Sequence, residues 1–410
     1  MNVSGKKILV MGLGRFGGGM GVTRWLLEQG AEVLLTDVLQ EDDLYVQLQQ
    51  LGEHRKLECV FGGHRESDFV DVDLVIANPA VKMPWDNKYL LAAWNGGVPV
   101  TTEVRLVVEQ LNRNQVIGVT GSAGKSTTAS LIYAALKESS IPSLLGGNLG
   151  GSILQSLNQI DENTIVVLEL SSAMLWWLGD EHEEGWSPHV GVLTNISPNH
   201  LDWHKTMKSY VSCKENMFKF QRVGDVAIRS QEIDLSCDQL SILGKHNQRN
   251  ASAALAAALA VGAEKRKSLN GISNFKGLPH RLEKVGDFYY NDSKATTPQA
   301  TQLAVDSFDD PTKIHLIAGG YDKKVDISLI GQQASRIAGL YVIGQTATTI
   351  LDSVSGGHAE HCMTLEKAFR AARKRMQEGD ILLLSPGCAS LDQFEHYERR
   401  GDLFRELCNC

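Results

Sequence analysis

The string Gly118-Val-Thr-Gly-Ser-Ala-Gly-Lys-Ser-Thr127 constrains this chain more than any other feature. An apolar run, Gln115-Val116-Ile117-Gly118-Val119, leads into it, and the helical pattern TTASLIYAALKE leads out. Strand, glycine turn and helix in that order make a phosphate cradle. The glycines let backbone N–H groups turn inward, and the helix N-terminus adds positive potential. Lys125 is placed to meet the β- and γ-phosphates, and the Ser126 hydroxyl to meet Mg²⁺. The strict GxxxxGK[ST] spacing is not met, because Val119 stands where the first glycine belongs; the shorter TGxxGKS form remains. A strand–turn–helix without a phosphate is the alternative.

The same alternation runs through the chain. Apolar strand runs at 7–11, 32–37, 73–76 and 98–100 form a first group, 115–119, 165–168 and 190–193 a second, and 313–317, 339–343 and 381–384 a third. Short apolar strands between helices predict parallel sheets. The expected fold is α/β in three domains. These are an N-terminal Rossmann-like domain over 1–110, a central P-loop ATPase-type domain with a mostly parallel sheet over 111–276, and a C-terminal Rossmann-like domain over 277–410. Ligands are expected at strand C-terminal ends and between domains.

Composition narrows the classes. With 43% hydrophobic and 21% charged residues, the 410-residue chain is neither disordered, collagenous nor a coiled coil. No stretch approaches the roughly 18 apolar residues of a membrane helix, and the Ala-rich run 251–263 reads as a buried helix. The N-terminus enters a strand with no signal-peptide pattern. Seven scattered cysteines (59, 213, 237, 362, 388, 408, 410) without a CxxC pair suggest neither a disulfide framework nor a zinc site. A reduced, cytoplasmic location is expected. A net charge of −8 argues against a nucleic-acid partner but leaves room for a basic phosphate pocket.

Other motifs carry chemistry less specifically. Gly12-x-Gly14-x-x-Gly17 with Asp37 fits the dinucleotide fingerprint, and NAD, another nucleotide or a structural turn would each satisfy it. Glu169-Leu170-Ser171-Ser172 puts a carboxylate at a strand end, which suits a metal ligand or a merely solvated Glu. His200, in Asn199-His200-Leu201-Asp202, is a metal or phosphate candidate. Asn291 to Thr296 and Ser385 to Phe394 are polar, small-residue segments suited to a carboxylate or phosphate. Cys388 has no His partner fixed by spacing and is expected to be a buried packing residue.

Taken in order, TGSAGKST, GGNLGG, LELSS, NHLDWH, SCKENMF, GKHNQRNASAALA, GLPHRLE, NDSKAT and LLLSPGCASLDQF resemble the Mur ligase family, in its D-glutamate-adding branch, over nearly the whole chain. The resemblance implies an ATP-dependent ligase adding D-glutamate to UDP-N-acetylmuramoyl-L-alanine through an acyl phosphate. It implies ATP bound by Gly121, Ser122, Ala123, Gly124, Lys125, Ser126 and Thr127, with Asn247 and Asn250 at the adenine and Arg281 and Asp292 closing over the nucleotide. Ser126, Glu169 and His200 would hold Mg²⁺, together with Lys214 as a carbamate, an anion where an ammonium would repel the metal. Lys125, His200 and Lys214 are the implied catalytic residues. Gly14, Arg15, Phe16 and Asp37 lie where the family binds uridine diphosphate, and Asn148 and Ser171 where it meets the sugar-linked substrate. Lys294, Thr296, Lys323, Ser390 and Tyr397 lie where it binds D-glutamate. The expected partners are these small molecules, with no nucleic acid, no membrane insertion and a monomeric chain.

The sequence departs from the family pattern at Asn78-Pro79-Ala80 for Ser-Pro-Gly, Ala123 for Asn, Ala173-Met174 for Phe-Gln, and Tyr397 for Phe. Three rivals follow: a nicotinamide-dependent dehydrogenase, a non-catalytic descendant of a ligase, and the same ligase chemistry on another UDP-linked or amino-acid substrate.

Overall fold

The computed structural model describes residues 2–13, 18–149, 151–180, 184–230 and 240–409. Gly14, Arg15 and Phe16 lie outside the described residues. The chain divides into two compact units, Met1–Ser236 with Arg249–Ile272, and Cys237–Gln248 with Ser273–Cys410.

The first unit holds two parallel sheets. β1 (Lys7–Met11), β2 (Glu32–Thr36), β3 (Leu57–Val60), β4 (Leu74–Ala77) and β5 (Val100–Thr102) run in the order β3-β2-β1-β4-β5. β6 (Val116–Thr120), β7 (Ser143–Gly147), β8 (Ile165–Glu169), β9 (Val190–Leu193) and β10 (Val226–Arg229) run in the order β10-β9-β6-β8-β7. The central strands β1, β4, β6 and β9 are buried along almost their whole length, as expected when helices cover both faces. Burying each large apolar side chain there contributes about 1.5–3 kcal/mol. One core joins the two sheets: Val10 and Leu35 of the first sheet with Val116, Val166 and Leu168 of the second. A second core also joins them through an aromatic cluster, with Trp85 and Trp94 from the segment after β4 and Trp176, Trp177 and Trp203 from beyond β8 and β9.

The second unit carries β11 (Glu283–Lys284), β12 (Tyr289–Asn291), β13 (Ile314–Gly319), β14 (Gly339–Ile343), β15 (Ala359–Met363) and β16 (Ile381–Leu384), in the order β11-β12-β16-β13-β14-β15. Only β11 is antiparallel. The architecture is thus α/β, with a Rossmann-like sheet first in chain order, a P-loop sheet second and a Rossmann-like sheet third.

Candidate active site

β6 ends at Thr120, and the helix Lys125–Glu138 begins five residues later. The turn between them demands glycine twice. Gly121 has φ 152°, and a Cβ there would lie 1.9 Å from Thr194 Oγ1; Gly124 has φ 81°, and a Cβ would lie 2.6 Å from Asn250 Oδ1. Asn250 therefore packs directly against the loop. Asn195 shapes it from the end of β9: its side-chain oxygen accepts from Ala123 N (3.0 Å) and its amide donates to Ala123 O (2.9 Å). Thr194 Oγ1 also donates to Ala123 O, at 2.6 Å. Position 123 is thereby shaped through its backbone, whichever side chain it carries. Ser122 Oγ donates to Ser197 O (2.9 Å) and meets Tyr210 Oη at 2.8 Å. Lys125 folds its ammonium toward Gly121 O (2.9 Å) and Ser122 O (3.3 Å), at the mouth of the cradle. Ser126 is buried in the first helical turn.

Strand pairing brings the next group in. β8 lies beside β6 with Val119 opposite Glu169, so Glu169 emerges next to the loop. Its side chain is 2% exposed; Oε1 accepts from Asn148 Nδ2 at 3.0 Å, and Oε2 has no hydrogen-bond partner among the described residues. A buried carboxylate oxygen in that condition suits a cation. Among the described residues no three His, Cys, Asp or Glu side chains cluster around a metal position. Glu169 and Ser126 are the residues here that could hold such an ion, with phosphate and water completing its shell, the usual habit of Mg²⁺.

The helix Met207–Lys219, capped by Thr206, delivers Lys214 from the other side. This lysine is 1% exposed and has no carboxylate contact among the described residues; Nζ donates to Gly121 O (2.9 Å) and Thr120 Oγ1 (3.4 Å) and lies 4.7 Å above the Tyr210 ring. Burial, with the charge of Lys125 added, pushes its pKa down to about 7. His200 occupies the left-handed region at φ 51° and opens the one-turn helix Leu201–His204. Partial burial and the ammonium groups of Lys125 and Lys214 lower its pKa, against the opposing pull of Asp202. A further chain lies behind these groups. His204 is buried with Nε2 2.8 Å from Ser172 Oγ and Nδ1 3.6 Å from Cys213 Sγ, and burial pushes it down to about 4.

Three of the expected substrate residues are engaged within the protein. Ser171 caps the helix Ser172–Trp177 by accepting from Met174 N at 3.1 Å. Asn148 is turned onto Glu169. Asp37 is buried; Oδ2 accepts from Leu13 N and Oδ1 from Leu39 N, both at 2.9 Å.

The second unit assembles its own group at the C-terminal ends of β12, β13 and β16. Asp292 is buried between Leu282 N (3.1 Å) and Ser385 Oγ (2.8 Å), and burial raises its pKa to about 7. It ties the turn holding Arg281 to the small-residue loop after β16. Lys294 lies 5.1 Å above the Tyr397 ring, while Ser390 is buried, Thr296 half-buried and Lys323 exposed. Asn247 is buried, with its amide donating to Leu243 O at 2.6 Å. Cys388 is a buried thiol whose pKa burial raises, as a packing residue should be.

Sequence reasoning missed Tyr210, Asn195, His204 and Arg400. Arg400 is 1% exposed, and among the described residues it has no carboxylate ion pair and no partner for Nη1; Nε donates to Ser293 Oγ (3.0 Å) and Nη2 to Ser293 O (2.9 Å). Thr194 and Asn195 could have been found, since they end a strand beside the P-loop strand.

Known proteins match this layout. Three family models cover most of the chain: the Mur ligase MurD-like N-terminal domain over residues 6–102, the Mur ligase middle domain over 119–235 and the Mur ligase glutamate ligase domain over 280–388. The chain belongs to the Mur ligase family. It is 35% identical to the UDP-N-acetylmuramoylalanine–D-glutamate ligase of Roseiflexus sp. (strain RS-1), covering 99% of both chains. It is 34% identical to the ligase of that name from Pelotomaculum thermopropionicum, covering 98% of this chain and 97% of the relative. Among solved structures, the MurF ligase of Thermotoga maritima in complex with ADP shares the fold at a TM-score of 0.59 and 15% identity, over 99% of this chain and 96% of that one. UDP-N-acetylmuramate–alanine ligase MurC from the same organism gives 0.58 at 19% identity, over 98% and 99%. No helix among the described residues is long and apolar enough to cross a membrane.

Proposed function

We infer that this protein is an ATP-dependent carbon–nitrogen ligase that joins D-glutamate to UDP-N-acetylmuramoyl-L-alanine, a step of peptidoglycan precursor synthesis. The carrying observation is that Lys125, the half-satisfied carboxylate of Glu169 and the buried Lys214 all meet at the exits of β6 and β8.

A carboxylate does not react with an amine at neutral pH, because its oxygen leaves too poorly. In this reading the alanyl carboxylate attacks the γ-phosphorus of ATP, the bond to the β-phosphate oxygen breaks, and ADP departs. The amine of D-glutamate then attacks the acyl carbon, loses a proton, and expels phosphate. The glycine turn and the helix N-terminus hold the triphosphate, and Lys125 offsets charge on the transferring group. Bound Mg²⁺, held by Ser126 and Glu169 with His200 and a carbamylated Lys214 nearby, would supply further charge neutralisation. Carbamylation requires a free amine, which adds to CO₂ and releases a proton; a lysine pushed down to about 7 supplies that amine at neutral pH. His200 acts as an electrostatic or metal group rather than a base. Lys294 and Lys323 carry the positive charge a dicarboxylic amino acid needs, with Thr296, Ser390 and Tyr397 beside them in the reading.

The proposal includes domain limits near residues 110 and 276, a monomeric working unit and a cytoplasmic location, where ATP is available. Tyr397, in place of the family's phenylalanine, favours one second reading, the same chemistry with a different amino acid. A phosphate-release screen with ATP, Mg²⁺, UDP-N-acetylmuramoyl-L-alanine and a panel of amino acids tests both. Release that depends on D-glutamate supports the first; release with another amino acid alone selects the second; none with any of them overturns both.

A further inference from the structure

We propose that the segment following β4 is a clamp that positions the His200 turn, with Lys82 and Trp85 as its positioning residues. The inference rests on the ligase reading above, in which His200 serves the ATP side. Three contacts cross between the two segments. Lys82 Nζ meets Asp202 at 2.6 Å, Lys205 Nζ meets Asp86 at 3.7 Å, and the Trp85 ring packs against Trp203 at 5.4 Å between centroids. Trp85 also reaches Trp176, at 5.6 Å, on the helix that follows Glu169.

The backbone marks the same contact. Eight described non-glycine residues have positive φ, and three of them are here: Met83 (46°), His200 (51°) and Lys205 (63°). His200 and Lys205 bracket the one-turn helix Leu201–His204, and Met83 opens the turn holding Trp85. A four-residue helix between two left-handed residues has little stability of its own. Such conformations persist only where surrounding structure over-determines them. Inside the protein His204 anchors the turn to Ser172 and Cys213, and on its outer side the surrounding structure is the 82–86 segment, which leaves β4 just after Asn78-Pro79-Ala80. The geometry of His200 beside the phosphate loop therefore depends on a segment of the other sheet of the same unit.

Lys82 and Asp202 are 61% and 62% exposed, so their pairing adds little to global stability and its reversal leaves the protein folded. The test compares Lys82→Asp, Asp202→Lys and the double variant as full-length proteins. Each single reversal is expected to lower kcat for phosphate release about tenfold, since small misplacements near a reacting group are costly. The KM for D-glutamate should hold, and Tm should stay within about 3 °C of the parent. The double variant should return to within about twofold of the parent rate. Singles with parental kcat, or a double variant no better than the worse single, overturn the clamp. Hydrogen exchange at the amides of Trp203, His204 and Lys205 gives a readout independent of substrate. Exchange there should quicken at least tenfold in the singles and recover in the double variant, and unchanged exchange also overturns the clamp. A parent protein inactive with these substrates would overturn the substrate reading, and the exchange measurement alone would then decide the clamp.

Discussion

Asn148 gives Glu169 Oε1 a hydrogen bond of 3.0 Å, while Oε2 of the same buried carboxylate has no partner among the described residues. Leaving such an oxygen unsatisfied costs about 1–3 kcal/mol or more, which a bound cation would recover. Glu169→Gln should fold, melt no lower than the parent without Mg²⁺, and lose the added stability that Mg²⁺ with ADP gives the parent. Its phosphate release should fall by roughly 10²–10³. Melting curves with and without Mg²⁺–ADP, and turnover at saturating ATP, measure both; parental turnover would remove Glu169 from the metal role.

Lys125→Ala should take ATP-dependent phosphate release to background. Its ammonium lies at the mouth of the loop, 2.9 Å from Gly121 O, where the γ-phosphate is transferred in the proposed reaction. Near-normal turnover in this variant would refute the phosphate assignment.

Replacing Lys214 with Ala should lower turnover by about 10² or more, and added formate should restore part of it by standing where the carbamate carboxylate would. Lys214→Arg should fail without rescue, because a guanidinium stays charged and does not add CO₂. An undiminished rate in Lys214→Ala would end the carbamate proposal.

Away from the site, Asp225 joins the N-terminal ends of three neighbouring strands. Arg113, ahead of β6, and His189, ahead of β9, both reach its carboxylate, which is 4% exposed, and the Arg222 amide adds a third donor. Burial alone would raise its pKa; the hydrogen bonds and the Arg113 charge outweigh that and hold it at about 2. A carboxyl held below its unfolded value stabilises the fold above pH about 4 and loses that contribution as pH falls through about 2. Asp225→Asn should therefore cost about 2 kcal/mol at neutral pH, with the deficit closing below pH about 4 and kcat unaffected. Denaturant unfolding across pH 2–7 checks the slope, and a pH-independent deficit would contradict it.

The interior of the fold was legible in the sequence because interior parallel strands are buried on both faces. β1, β6, β9, β13, β14 and β16 therefore read as mostly apolar runs. The strands that escaped notice lie mostly at sheet edges. β3, β7, β10 and β15 each end a sheet order, are half-exposed, and carry sequences such as LECV, SLLGG and AEHCM with no continuous apolar signal. In the site, Lys125, Glu169 and Lys214 were legible because their motifs name them. Tyr210 and Arg400 were not, since each acts through a hydrogen bond to a residue 88 or 107 positions away. No local pattern encodes such a pairing.

Asp37 stands where a nicotinamide fold reads the ribose, yet both its oxygens are occupied by the amides of Leu13 and Leu39. The first sheet therefore retains the outline of a dinucleotide reader, and this acid fastens two of its loops while each oxygen keeps a second lone pair. Any ligand that meets Asp37 meets a carboxylate whose position is set in advance.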